Sequence, residues 1–261
     1  MAIQLSERDN LIFKFIEEHQ VLLEKHIAWF ISCDDKPVLI RDRLRKLFYL
    51  DYLLCERHGG KLPWWTTPTK PLVYMLSPMS RGIMHAGDNA IDLSDCDNQR
   101  HLLEIANLRM LFLVDQKEAL ISDVMWSTRR KDKISEASLD ATISFKRNGV
   151  THKTGIINHP VLDKAEIVQA AEKAVAAGEC DMIWIVSRDE AHQTAMQQAF
   201  INSTIASKVA FATHQELYKA GLVKAKWQSA QQQFASVMAE SVVDSNVAPI
   251  GTVLTPIQAF S

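Results

Sequence analysis

The sequence predicts an α+β protein in two parts, and three observations carry that prediction. Helical periodicity fills the N-terminal stretch, glycine- and proline-punctuated strand-like runs follow it, and past residue 100 strand-like and helix-like stretches alternate. The chain has 261 residues, 47% of them hydrophobic and 23% charged. That length allows one large domain or two smaller ones, with a core that needs neither disulfides nor structural metal.

Ser6 is placed to cap a first helix, with Asp9 three residues on, where an acid suits the positive end of the helix dipole. Leu11, Ile12, Phe15 and Ile16 then recur at helical spacing, while Lys14, Glu17 and Glu18 take the wet face. A second helix fits residues 22–31 and buries Leu23, Ile27 and Phe30. A turn over residues 32–37 puts Pro37 at the first position of a third helix, residues 38–50. On that helix Ile40, Leu44 and Leu47 share one side and Arg41 and Arg45 another. Residues 52–57 read as a strand, and His58-Gly59-Gly60-Lys61 as a turn, because paired glycines accept the positive φ of a tight hairpin. A proline-rich segment with Trp64 and Trp65 leads to a second strand, residues 72–76. Three helices followed by a β-hairpin is the order of a winged helix-turn-helix, in which one helix braces on the DNA backbone and the next faces the major groove.

Residues 86–99 carry Asp88, Asp92, Asp95 and Asp97 and read as a linker or domain edge. Beyond them come a helix over 101–114 and strands over 119–126 and 139–146. An Asn148-Gly149 hairpin turn then leads to a partner strand over 150–158. A helix over 164–177 is closed by Gly178, and strand 182–186, helix 189–200 and strand 208–212 complete a mixed α/β domain. The expected division is therefore 1–87 for the winged helix-turn-helix and 100–235 for the α/β domain. Residues 236–261 form a tail without firm period.

Composition narrows the function classes. The 29 basic and 31 acidic residues leave a net charge of −2, unlike a uniformly basic, histone-like protein. Cys33, Cys55, Cys96 and Cys180 form no Cys-x-x-Cys pair and read as reduced thiols, not a zinc knuckle or a disulfide framework. The N-terminus lacks the basic and apolar regions of a signal peptide, and no apolar run approaches the ~20 residues of a membrane span. A cytoplasmic protein without membrane contact is the expectation. Without a glycine-rich phosphate loop or dinucleotide fingerprint, NTPase and dehydrogenase readings fall away.

Residues 36–61 stand out, with seven cations (Lys36, Arg41, Arg43, Arg45, Lys46, Arg57, Lys61) against three anions in a chain that is net negative. Arginine on an exposed helix can pair with guanine edges, and lysine in a wing can neutralise phosphate, so these seven are the candidate contacts to double-stranded DNA. A solvated face is the plainer reading of the same charges. Trp64 and Trp65, costly to expose, can stack at the domain junction, bind a partner or wedge against nucleic acid. Trp184 reads as core, and Tyr218 lacks the histidine cluster that would make it a nucleophile. Histidines 101, 152, 159, 192 and 214 are too dispersed for a metal motif.

Leu5-Ser6-Glu7-Arg8-Asp9, Arg43-Leu44-Arg45-Lys46-Leu47 and Tyr74-Met75-Leu76-Ser77-Pro78-Met79-Ser80-Arg81-Gly82 resemble the plasmid replication-relaxation family. That family is similar to plasmid mobilisation relaxases built from a winged helix and a restriction-endonuclease-like (PD-(D/E)xK) domain. The likeness spans residues 5–215, and Leu139-Asp140-Ala141 resembles the family's Pro-Asp strand start. It implies a DNA-binding protein of a plasmid or mobile element, acting in mobilisation, replication or transcription control. Its partners would be double-stranded DNA and other mobilisation or replication proteins, or a second copy in a homodimer. If the second domain is active, the resemblance implies Mg²⁺ or Mn²⁺ at Asp140, a further carboxylate from Glu104, and Lys153 as the helper of the attacking water. The Glu-x-Lys motif is missing from residues 150–159: where the family pattern places Glu this sequence has Ile156 or Ile157, with Asn158 and His159 just beyond. The expectation is therefore a degenerate nuclease fold with no cofactor. A metal-dependent nicking relaxase, including one assisted by His152, Lys153 and His159, and a protein–protein interaction module are the alternatives.

Overall fold

A computed structural model of the chain describes residues 4–33, 38–87, 91–131, 133, 136–159 and 163–231. Lys36, Pro37 and the 236–261 tail lie outside the described residues. The architecture is mixed α+β, with eight α-helices and two sheets among the described residues. No helix in them is long and apolar enough to cross a membrane.

Helix α1 (Glu7–His19) starts in a capping box. The Ser6 hydroxyl accepts from the Asp9 amide at 3.3 Å, and the Asp9 carboxylate accepts from the Ser6 amide at 2.7 Å. Strand β1 (Leu22–Leu23), α2 (Glu24–Ser32) and α3 (Val38–Tyr49) follow. Periodicity assigns Leu22 and Leu23 to the second helix, but they form a strand because Tyr74 and Val73 lie opposite and take their backbone hydrogen bonds. Strands β2 (Leu53–Arg57) and β3 (Leu72–Leu76) complete an antiparallel sheet in the order β1-β3-β2. Ile12, Phe13, Ile16, Ile27, Ile40, Leu44 and Leu47 fill the core beneath it.

The tight His58–Lys61 hairpin is not formed. The link from β2 to β3 runs over residues 58–71, and neither Gly59 nor Gly60 takes a positive φ. Their absent side chains matter for another reason. A Cβ on Gly59 would sit 2.8 Å from Cys96 Sγ, and one on Gly60 2.9 Å from His58 Nε2. A short helix, α4 (Pro78–Met84), then begins with Pro78 in its first turn and the Ser80 amide donating to Ser77 Oγ at 3.2 Å.

Helix α5 (Cys96–Lys117) begins inside the stretch expected to be a linker, with Asp95 capping the Asp97 amide. It is buried on every side, as a helix must be when it serves several cores. Ala106 and Met110 pack into the N-terminal core, Leu108, Leu111 and Phe112 into the second sheet, and Leu102 and Leu103 against Trp64 and Val73. The two expected units therefore share this helix.

The second sheet is built from β4 (Ser122–Thr128), β5 (Ala141–Arg147), β6 (Val150–His159), β7 (Met182–Ser187) and β8 (Val209–Thr213), in the order β4-β5-β6-β7-β8. The first three strands run antiparallel to one another, and β6, β7 and β8 are parallel. Asn148 and Gly149, with φ of 49° and 79°, make the β5–β6 turn. Helices α6 (Lys164–Ala176) and α7 (Glu190–Phe200) supply the crossovers that parallel neighbours require. Helix α8 (His214–Ala220) follows β8 directly. Trp184 stacks on Phe112 with ring centroids 5.6 Å apart and lies 4.6 Å from Trp227, which makes it core.

Arg43, expected on the DNA-facing surface, turns inward instead. Its guanidinium donates to the fully buried Asp9, with Nε 2.6 Å from Oδ1 and a second bond to Oδ2, tying α3 to the start of α1. Burial pushes the Asp9 carboxyl up, but Arg43 and the Ser6 hydrogen bonds outweigh it and hold the pKa below its ordinary value. Arg43→Ala should destabilise the fold by about 2 kcal/mol in urea denaturation, because a buried carboxylate loses its cation. A purely surface role would leave the urea midpoint unchanged.

Candidate functional site

The strongest concentration of polar chemistry is buried at the carboxyl ends of β6 and β7, against α5. This is the edge of a parallel sheet where α/β proteins commonly place ligands. Helix α5 presents His101 and Glu104, three residues apart and so on one face. Asp140 stands just ahead of β5, Asn158 near the end of β6, Arg188 just past β7, and His214 directly after β8. Lys131 comes from the segment after β4. His101, Glu104, Asp140, Asn158 and His214 are all at most 1% exposed.

Asn158 is the hub. Its side-chain amide donates to Glu104 Oε2 at 3.0 Å, and its backbone amide donates to Asp140 Oδ2 at 2.7 Å. With the amide nitrogen so committed, Asn158 Oδ1 is the acceptor for His214 Nε2 at 2.7 Å. Asp140 Oδ1 receives Lys131 Nζ at 2.8 Å and His101 Nε2 at 3.0 Å. Glu104 Oε1 receives Arg100 Nε at 2.8 Å, with Arg188 Nε 3.4 Å away.

Burial raises the pKa of Asp140, and Lys131 and His101 more than offset it, so the group is held below the usual aspartate range. Burial likewise raises Glu104, and His214, Arg188, Asn158 and Arg100 together bring it below the ordinary value. Burial drives His214 itself down to about 4, which leaves it neutral at physiological pH. The cations that neutralise Glu104 there are consequently the two arginines.

This donor set does not fit a divalent cation. Both oxygens of each carboxylate already receive protein donors, and Lys131, Arg100 and Arg188 supply the compensating charge that a metal would bring. Among the described residues, no group of three or more His, Cys, Asp or Glu side chains is arranged to hold a metal ion. Asp140 as a metal ligand is thus corrected to Asp140 as the acceptor of a buried ion pair. Lys153 is also corrected. It lies five positions before Asn158 on β6, so it projects from the opposite face, and its exposed ammonium donates to the Gly178 carbonyl at 3.2 Å. Lys131 occupies the place beside Asp140 that Lys153 was expected to fill.

Of the five dispersed histidines, the fold gathers His101 and His214 into the cluster. His152 stacks on Phe145 at 5.2 Å, and His192 bonds Asp189 at 2.7 Å. The His159 side chain lies outside the described residues. Trp64 is buried and its ring lies 5.8 Å from that of His214, at the junction of the two sheets. Tyr218 faces Lys25, 6.0 Å from its ring centroid. Sequence reasoning missed Lys131, Arg188, Arg100 and His214 as members of the site. The available signal was positional, since Arg188 and His214 each stand two residues past a strand expected from the sequence, 182–186 and 208–212.

The remaining cations cluster on the other unit. Arg45 is 62% exposed and 4.0 Å from Asp42, and Lys46 and Lys61 are exposed. Arg41 is exposed but grips Glu24, with Nε 3.1 Å from both oxygens. Arg57 donates to the Lys70 carbonyl at 3.1 Å. No protein-family model, curated protein or solved structure matches this chain.

Asp140→Ala should cost about 3 kcal/mol or more, because it strands a buried ammonium. Adding Mg²⁺ or Mn²⁺ to the unmodified protein should leave its melting temperature unchanged, and a metal-dependent rise would contradict the ion-pair assignment. Burial lowers His26 to about 3 and His214 to about 4, so the unfolded chain takes up protons first on acidification. Stability should therefore fall as pH drops from 6.5 toward 4, by about 1 kcal/mol per pH unit for each histidine. Urea midpoints across that window read the slope, and His214→Phe should flatten it.

Proposed function

We propose that the chain is a double-stranded-DNA-binding protein that joins a winged helix-turn-helix to a restriction-endonuclease-like unit which no longer cuts. The order helix, strand, helix, helix, strand, strand, with the sheet order β1-β3-β2, fits the first part. The second part is supported by the run from α5 through three antiparallel strands, α6 and the parallel β7. Asp140 is met by the backbone amide of Asn158, and an amide side chain rather than a carboxylate at that meeting point suits a unit that has lost its metal. The short motifs described above suit a role in plasmid mobilisation, replication or transcription control.

The observation that carries the reading is the outward face of α3. Arg45 and Lys46 project to solvent there, and Arg57 at the end of β2 and Lys61 beyond it are exposed as well. Phosphates along a duplex are the polyanion such a row matches. Arg45→Ala combined with Lys46→Ala should weaken duplex binding in a gel-shift titration and lower the slope of log K against log salt by about 2. Unchanged affinity and slope would remove the proposal.

A further inference from the structure

Beside the duplex-facing surface, between the start of α2 and the roots of β2 and β3, lies a cavity of about 610 Å³, within the size range of small-molecule sites. Its walls carry Lys25, Arg41, Arg57 and Lys70 against a single acid, Glu24, which Arg41 already grips. The cavity is therefore strongly positive. Trp65 forms one side of it, with its ring held by an indole N–H donated to the Thr69 carbonyl at 2.7 Å. Leu23, Glu24 and Lys25 bring the first turn of α2 to the edge of the same space.

We infer that this cavity binds a nucleotide unit, its planar base stacked on Trp65 and its phosphate held by Arg57 and Lys70. The two halves of the site match the two halves of that ligand. A fixed aromatic face takes any base, and ammonium and guanidinium groups take the phosphate. The nucleotide is either free in solution or the 5′-terminal residue of a single strand. The inference does not rest on duplex binding, although Arg41 and Arg57 border both surfaces, because Arg45 and Lys46 do not line the cavity.

The test titrates the full chain by calorimetry with deoxyadenosine 5′-monophosphate, deoxyadenosine, inorganic phosphate and a 5′-phosphorylated single-stranded oligonucleotide. The nucleotide should bind more tightly than the nucleoside or phosphate. Trp65→Leu and Lys70→Gln should each weaken it about tenfold, and Arg45→Ala with Lys46→Ala should leave it unchanged. Circular dichroism checks that each variant is folded, and Lys70→Gln, at an exposed position, keeps the test open if Trp65→Leu is not. Binding of the oligonucleotide alone, with the same dependence on Trp65 and Lys70, supports the site and assigns it to strand ends. Inorganic phosphate binding as tightly as the nucleotide, indifference to both variants, or no binding by any of the four probes would overturn it.

Discussion

Two carboxylates, Glu104 on α5 and Asp140 facing that helix, lie buried, and the second sheet can close over them only because the chain brings its own positive charge to that place. Moving an ion out of water costs several kcal/mol even after relaxation, and the cost is offset only when partners and hydrogen bonds are nearly complete. Asp140 receives three donors and Glu104 is flanked by two arginines and an amide. The donors come from α5, the segment after β4, β6 and the residue past β7. The network therefore fixes how these pieces meet, and its geometry sets where α5 lies. Since α5 also carries part of the N-terminal core, the constraint reaches the other half of the molecule.

The same physics recurs in smaller form at Asp9. A capping carboxylate that would ordinarily sit at the surface is buried between α1 and α3, and Arg43 turns inward to meet it. The result separates the arginines of α3 by role. Arg43 holds the fold together, Arg41 is shared with Glu24, and Arg45 points to solvent. A row of similar residues on one helix thus does three different jobs, decided by what each one meets across the interface.

Neutralising buried acids with internal cations has a chemical consequence. A carboxylate already saturated by an ammonium and imidazole is a poor ligand for a hard dication, which would have to displace them and dehydrate as well. What remains at the carboxyl ends of the parallel strands is a rigid, polar joint, with Trp64 laid against His214 beside it. On the outer surfaces, particularly α3 and the cavity walled by Trp65, basic side chains are exposed to solvent.

Sequence by itself determined the local elements. The Ser6–Asp9 capping box, the Ile40/Leu44/Leu47 stripe, the Asn148-Gly149 turn and strand 72–76 follow from periodicity and turn chemistry that act within a few residues. Asp140 and Glu104 were legible as carboxylates of interest, but only through a resemblance, and the lysine paired with them there was the wrong one. Tertiary structure decided the rest. Leu22 and Leu23 became a strand because β3 offered hydrogen-bonding partners, and Gly59 and Gly60 were needed for their lack of bulk near Cys96 and His58. Lys131, Arg188 and His214 joined one site from places far apart in the chain. A charge's role depends on the dielectric and the partners around it, and those exist only once distant segments have packed.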